Sequence, residues 1–366
     1  MPTVAELLDA LNRIAPPHLA FPDDPIGLQV GRPEDEVGRC LVALDPTLAA
    51  VEAAVEHKAQ ALVTHHAAIY HPLRSLAGDS PQVRVLRSAI QNGIALLNAH
   101  TNWDAAQGGV NDTLAERLGL RNLKAFGGDV PARAFKLITF LPETALDPVL
   151  DALAEAGCGE IGLYRRCAFY SPGSGTYEPQ PGAEPLIGEV GKRETADERR
   201  LEVLVPGHAK EAALEALRNA HPYDEPAYDL YELVNVAPIA LPRMGELPEA
   251  VSAEEFARHV EERLGTKTRM YGNRRSSIGL AAVCGGAAGL YWRAAMEAGC
   301  DAFVTGEVRH HEGVEAAESG FCIIEAGHYH TEQPGMESLK DRLAGELPAV
   351  EFHLFEPGPG VGGRPL

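Results

Sequence analysis

The sequence predicts an α/β protein: two pseudo-equivalent α/β halves that together form one core, with an α+β domain inserted between them. Three observations carry this expectation. Short apolar strands alternate with amphipathic helices over residues 1–126 and again over 239–366, the rhythm of a mainly parallel sheet. The two blocks echo each other in the same order, VEHKAQALVTHH lining up with MEAGCDAFVTGEVRHH and IALLNAHTNWD with FCIIEAGHYHTE, as an internal duplication would. Residues 127–238 break the rhythm with a β-α-β-β-α-β order, which is ferredoxin-like.

Taken in order, VAELLDALNRI has helical apolar spacing and RCLVAL reads as a strand. Asp45-Pro46-Thr47 opens the helix TLAAVEAAVEHK, and ALVT is the next strand. A helix near 81–92, the strand IALLNA and a helix from about 110 to 118 complete the first block. The insert supplies FKLITFL, a helix near 146–156, a strand near 163–170, RRLEVLVP, the helix AKEAALEALRNA and YDLYEL. Its segment 171–192, SPGSGTYEPQPGAEPLIGEVGK, is rich in Gly and Pro and reads as a long mobile loop. In the last block the helix SAEEFARHVEERL precedes the strand SSIGLAAVC and the glycine-rich GGAAG. The helix LYWRAAMEAG, the strand DAFVTG, the helix VRHHEGVEAAES, the strand FCIIEAG, a helix near 334–345 and AVEFHLF follow.

A chain of 366 residues is too long for one ordinary domain. Asp and Glu (52) outnumber Lys and Arg (32), a net charge of −20 that argues against direct nucleic-acid or membrane binding, since both need basic surface. A phosphorylated small molecule stays allowed, because bound cations reverse the local sign of charge. The longest apolar runs are strand-sized, so no membrane span is expected. The start MPTVAELLDALNRI lacks the basic and apolar regions of a signal peptide, and the six cysteines form no CxxC pair; a reducing cytoplasm is the expected location.

Three strand-like runs end in side chains that bind divalent metals: His65 and His66, then His100 and Asp104, then His328 and Glu332. Strand ends of an α/β sheet converge on one edge. Five or six nitrogen and oxygen donors exceed what one ion needs and suit two sharing a carboxylate. His328 and Glu332 fall on one face if a helix starts near 328, and Asp104 copies Glu332 in the duplication. His100 reads as either a ligand or a proton carrier. Glu307, His310 and His311 follow the strand equivalent to the one before His65, so they either line the same cleft or lie on an exposed helix face. GGAAG at 285–289 reads as a phosphate turn or as tight packing. The Gly157-x-Gly159-x-x-Gly162 match follows a helix and opens a strand, the wrong order for a dinucleotide fingerprint.

Together, LVTHH, AHTNWD, VCGGAAG, FVTGEVRHH and EAGHYHTEQPGMESL resemble the dinuclear-metal-centre, ring-forming hexameric family often labelled GTP cyclohydrolase 1 type 2 homologues. The resemblance covers both outer blocks, about two thirds of the chain, and the insert resembles the PII-like domain of the family's long form. It implies two divalent metal ions per chain (zinc, iron or manganese) on His65, His66, Asp104, His328 and Glu332, with Glu332 bridging, and a homohexamer. Two departures stand out: DDPIGLQV replaces a segment usually like WDNxGLQ, with Asp23 and Pro25 in place of Trp and Asn, and Ala287 and Ala288 lie where glycine or serine is common. The expected function is a dimetal hydrolase acting on a nucleotide or similar small anion, GTP cyclohydrolase-type ring opening included, with His100 and Glu307 as catalytic proton carriers. The alternative is a non-catalytic metal-binding or regulatory ring; solvent access to the metals separates the two.

Overall fold

The structure, a computed structural model, describes residues 1–128, 133–161, 164–234, 239–358 and 360. It divides into two compact units, Met1–Val130 with Pro238–Leu366, and Pro131–Ala237. Along the chain the first unit runs α1 (Val4–Ile14), β1 (Gly27–Val30), β2 (Arg39–Ala43), α2 (Leu48–Glu56), β3 (Ala61–Thr64), α3 (Pro81–Gln91), β4 (Ala95–Asn98), α4 (Thr101–Ala105), α5 (Val110–Arg117) and β5 (Arg121–Ala125). The second unit supplies β6 (Ala134–Leu141), α6 (Leu146–Glu155), β7 (Ala168–Tyr177), β8 (Glu194–Pro206), α7 (Lys210–Ala220) and β9 (Tyr228–Glu232). The first unit resumes with β10 (Arg243–Ser252), α8 (Ala253–Leu264), β11 (Arg269–Tyr271), β12 (Ser277–Cys284), α9 (Trp292–Glu297), β13 (Ala302–Thr305), α10 (His310–Glu318), β14 (Cys322–Glu325), α11 (His328–Glu346) and β15 (Glu351–Leu354). Helix starts follow local chemistry: Thr3 with Glu6, and Ser252 with Glu255, form reciprocal capping boxes at α1 and α8.

The first unit holds two sheets of matching design. One has the order β1-β4-β3-β2-β15, the other β11-β14-β13-β12-β10-β5. In each, three parallel strands (β2, β3, β4 or β12, β13, β14) are flanked by an antiparallel edge strand, β1 or β11. Thr64 and Thr305 occupy the same place at the end of the middle strand, opposite Asn98 and Glu325 respectively.

Neither sheet is made from one sequence block alone. β15 pairs with β2, Phe352 lying opposite Cys40, while β5 pairs with β10. The helices cross over as well. Met336, Leu339 and Leu343 of α11 pack with α1 on the first sheet, whereas Leu114 and Ala115 of α5, with Leu118 at its C-cap, pack with α8 on the second. The blocks thus trade a helix and a strand, and the bounds 1–126 and 239–366 do not separate the two sheets. Full burial of the Leu and Met side chains in the traded helices contributes on the order of 10 kcal/mol, an upper figure for an extended unfolded chain. α5 and α11 run side by side at the seam. Gly335 meets the Val110 backbone so closely that a β-carbon there would overlap it, and the Trp103 indole N–H donates to the Gly335 carbonyl at 3.1 Å.

α11 begins at His328, earlier than the helix expected near 334–345. Pro334 suggests a helix start because proline is tolerated in the first turn, but here it lies inside the helix. Its missing N–H removes one helical bond, and the surrounding turn is held by buried Tyr329, Thr331, Glu332 and Met336.

The second unit has the order β7-β8-β6-β9, every neighbour antiparallel, with α6 and α7 packed over one face: the ferredoxin-like arrangement. The strand expected near 163–170 is shifted to Ala168–Tyr177, with residues 162 and 163 outside the described set. The start of the expected loop 171–192 is therefore strand, paired with β8 as far as Tyr177 opposite Glu194, and the loop itself runs over 178–192. Pro172 is accommodated because β7 is an edge strand, where a missing N–H need not break a ladder. Among the described residues no helix is long and apolar enough to cross a membrane.

Candidate metal centre

The site is assembled at the C-terminal ends of β3 and β4 and the first turn of α11. β3 stops at Thr64. The N–H groups of His65 and His66 then both reach the Leu44 carbonyl, at 3.2 and 3.1 Å, so the chain curls. Side chains that would alternate along a strand come together, their ring centroids 5.0 Å apart. His100 caps the short helix α4, which carries Asp104, and its ring lies 5.1 Å from that of His65. His328 opens α11 and Glu332 follows one turn later; the His328 and His66 centroids are 5.4 Å apart.

Glu332 sits at the centre and is only 4% exposed. Its Oε1 is 3.9 Å from His65 Nε2, which is also 3.5 Å from Asp104 Oδ1. Its Oε2 is 3.4 Å from His66 Nε2 and 3.0 Å from His328 Nε2. The carboxylate thus turns one oxygen to each of two donor groups. His65 Nε2, His328 Nε2 and Glu332 Oε2 are buried yet have no hydrogen-bond partner. The last two are close but not aligned as donor and acceptor, as expected of atoms aimed at a common third point. Stranding three buried polar atoms without a ligand would cost about 1–3 kcal/mol each. His65, His66 and His100 form one set with donor atoms close enough for a single ion, and His66, His328 and Glu332 another.

Every imidazole in the cluster is held at Nδ1. His65 Nδ1 bonds to the Ala99 carbonyl at 2.9 Å, His66 Nδ1 to Asp45 at 2.8 Å, His100 Nδ1 to Asp24 at 2.8 Å and His328 Nδ1 to Glu307 at 2.7 Å. Fixing that nitrogen leaves Nε2 as the free one in all four rings, the arrangement that surrounds metal-bound histidines. Asp24 is itself held by the Thr101 N–H at 3.1 Å and the Thr101 hydroxyl at 2.5 Å.

Charge is divided unevenly across Glu332. Burial pushes His65 down to about 3, against the pull of Glu332. Burial also works against the charged form of His66, but Asp45 and Glu332 outweigh it and hold His66 up at about 10. The Glu332 carboxylate raises His328 to about 9. Burial and the charge of Glu332 raise Asp104 to about 7. Burial opposes ionisation of Glu332 too, yet the His328 and His66 rings hold it well below the usual carboxylate range. Without a cation, therefore, one side of Glu332 favours two protonated rings and the other a neutral ring beside a carboxyl whose ionisation is opposed.

The structure brings His65, His66, His100, Asp104, His328 and Glu332 together, and it adds Glu307 through His328. His310 and His311 are exposed at the start of α10 and belong to neither donor set. Asp24 and Asp45 escaped the sequence reading. Asp45 looked like a helix opener, yet Thr47 caps α2 and leaves Asp45 free for His66. Asp24 lies in a loop far from His100 in sequence, and its role emerges only where that loop folds over His100. In the GGAAG turn two N–H groups are engaged within the protein, Gly285 N–H donating to Asn111 at 2.7 Å and Gly286 N–H to the Thr331 hydroxyl at 3.1 Å, which supports the packing alternative. Gly286 has φ +68°, and a β-carbon there would overlap the Glu332 carboxylate.

Comparison with known proteins agrees with this architecture. A sequence model of the Duf34/NIF3 (NGG1p interacting factor 3) family matches residues 2–357. A GTP cyclohydrolase 1 type 2 homolog of Halalkalibacterium halodurans is 36% identical over 339 residues, 92% of this chain and 91% of the relative. One from Bacillus subtilis is 34% identical over 326 residues, 88% and 87% of the two chains. Among solved structures, a Bacillus cereus protein related to NIF3 matches with a TM-score of 0.67 at 34% identity, covering 98% of this chain and 97% of the other. The chain belongs to the Duf34/NIF3 family.

Proposed function

We propose that this protein is a dinuclear, divalent-metal-dependent hydrolase of a nucleotide or similar small anion. The observation that carries the reading is Glu332, whose Oε1 faces His65 and whose Oε2 faces His66 and His328, with His65 Nε2, His328 Nε2 and Oε2 itself buried and unpartnered. His65, Asp104 and Glu332 would hold one ion; His66, His328 and Glu332 the other. Their nitrogen and oxygen donors suit zinc, iron or manganese. When bound, such a pair supplies Lewis-acid polarisation and an activated water.

The chain's own residues supply the rest. Asp45, Glu307 and the Ala99 carbonyl fix the rings of His66, His328 and His65. That gives Glu307 an orienting role in place of the proton-carrying one expected for it. His100, oriented by Asp24, keeps Nε2 to give or accept a proton at the mouth of the site. Side-chain exposure of 27% for His66 and 34% for His328 leaves that mouth open to a substrate, which favours reaction over a closed structural site. The names of the relatives make GTP the first substrate to test. The same reading includes the ring-forming homohexamer, the cytoplasmic location and the PII-like role of residues 131–237, and light scattering with six chains per particle is its expected assembly result.

The direct test is elemental analysis of protein purified without added metal, followed by nucleotide hydrolysis with and without chelator. Two metals per chain and chelator-sensitive hydrolysis are expected. A chain with one metal or none, or turnover indifferent to chelation, defeats the proposal.

A further inference from the structure

One exposed aromatic at the centre has no structural duty in the core. Tyr70 is 55% exposed, and its ring lies 6.3 Å from the His100 ring at 89°. It also meets the His71 ring at 5.0 Å and 82°. An exposed tyrosine is ordinarily free to move with its loop. This one is rooted. The Gln29 carboxamide accepts from the Ile69 N–H at 2.9 Å and donates to the Ile69 carbonyl at 3.0 Å. The same Nε2 donates to the Pro25 carbonyl at 3.0 Å, in the loop that carries Asp24. A further side chain, Gln82, donates to the Ala68 carbonyl at 2.8 Å. One carboxamide therefore fixes both the residue before Tyr70 and the loop that orients His100.

We propose that Tyr70 is a stacking platform for a planar heteroaromatic ring, which it holds against the His100 side of the metal centre, and that Gln29 positions it. The inference rests on the hydrolase reading and narrows its substrate class to ring-bearing molecules such as purine nucleotides. A tyrosine ring offers a large apolar surface with little rotamer freedom to lose, and aromatic stacking tolerates differences among bases. Phosphate groups do not use such a surface, so the platform selects the ring.

The test compares GTP with pyrophosphate, which has no ring, by calorimetry on metal-loaded protein. The ratio of GTP affinity to pyrophosphate affinity is expected to fall by about 5- to 150-fold in Tyr70→Ala, the usual range for losing one base–aromatic stack. Tyr70→Phe, which keeps the ring, should restore most of the ratio. Gln29→Leu should lower it in the same direction, and the double variant should fall no further than Tyr70→Ala, because the Asp24 loop that Gln29 also holds bears on both ligands alike and cancels in the ratio. Circular dichroism and metal content serve as controls, and the exposed position makes loss of fold in Tyr70→Ala unexpected. An unchanged ratio in Tyr70→Ala, failure of Tyr70→Phe to restore it, or wild-type protein that does not bind GTP overturns the platform. Chelator-sensitive hydrolysis of pyrophosphate decides the hydrolase reading separately, since that substrate never needs the ring site.

Discussion

Filling the two donor sets should release protons unequally. His66 and His328 sit at about 10 and about 9, so both rings are protonated at pH 7, and a cation taking their Nε2 atoms must displace about two protons. His65 sits at about 3 and is already neutral, while burial and the charge of Glu332 raise Asp104 above the usual carboxylate range. The His65 side should then release fewer protons than the His66–His328 side. The sign follows from the direction of each shift. A raised pKa means a proton held at neutral pH, so affinity on the His66–His328 side rises with pH. It should climb about a hundredfold per pH unit up to pH 9, tenfold from 9 to 10, and then level off. On the His65 side, where the ring is already neutral and only the raised Asp104 holds a proton, the dependence should be weaker. Calorimetric titration of metal-free protein, repeated in buffers of different ionisation enthalpy across pH 6–10, reads both numbers. Heats that do not depend on the buffer, or equal pH slopes for the two binding events, would refute the division of charge described above.

Other perturbations probe the same framework. Glu332→Gln keeps the size but removes the charge facing both donor sets; it should lose metal at both and abolish hydrolysis while circular dichroism is unchanged, and a folded variant retaining two metals excludes bridging. Asp45→Asn should weaken the His66–His328 side about 10- to 100-fold, the usual effect of removing a partner of a ligating histidine, with little change at His65; competition with a chromogenic chelator measures it. Gly286→Ala places a β-carbon in the Glu332 carboxylate at φ +68°, so it should lower both metal content and melting temperature. Replacing residues 131–237 by a flexible linker should leave two metals per chain, and loss of metal would mean that this unit helps to build the centre.

Much of this was legible in the sequence because it depends on local pattern. Strands such as ALVT and FCIIEAG are short apolar runs bounded by polar punctuation, and they recur as β3 and β14. The histidines and carboxylates stand out because apolar strands end on them. What escaped depends on tertiary geometry. Asp24 and Asp45 are ordinary loop acids until the fold sets them beside His100 and His66. Pro334 carries a helix-start signal that burial overrides. Gly and Pro in 171–177 speak for a loop, but an edge strand accepts both. The trade of α5 and α11 between sheets is invisible to periodicity, since an amphipathic helix shows which face is apolar and not which sheet will cover it.

That trade has a consequence for how the protein is made. As the chain leaves the ribosome, β2, β3 and β4 emerge early, but the edge of β2 has no partner until Phe352 arrives. The interval from Asn98 to Phe352 is 352 − 98 = 254 residues, roughly 13–50 s at ~5–20 residues per second. Throughout it the face later covered by Met336, Leu339 and Leu343 stays open, and α5 waits without the sheet it will pack against. Residues 131–237 face no such delay, since all four of their strands pair among themselves. The nascent protein should therefore carry a finished middle between two unfinished ends, and its hazard is a neighbouring copy on the same message donating the missing helix and strand. The order of pairing therefore sets the order of protection: a pulse-labelled lysate should show protease resistance first in the middle and only later, together, at both ends.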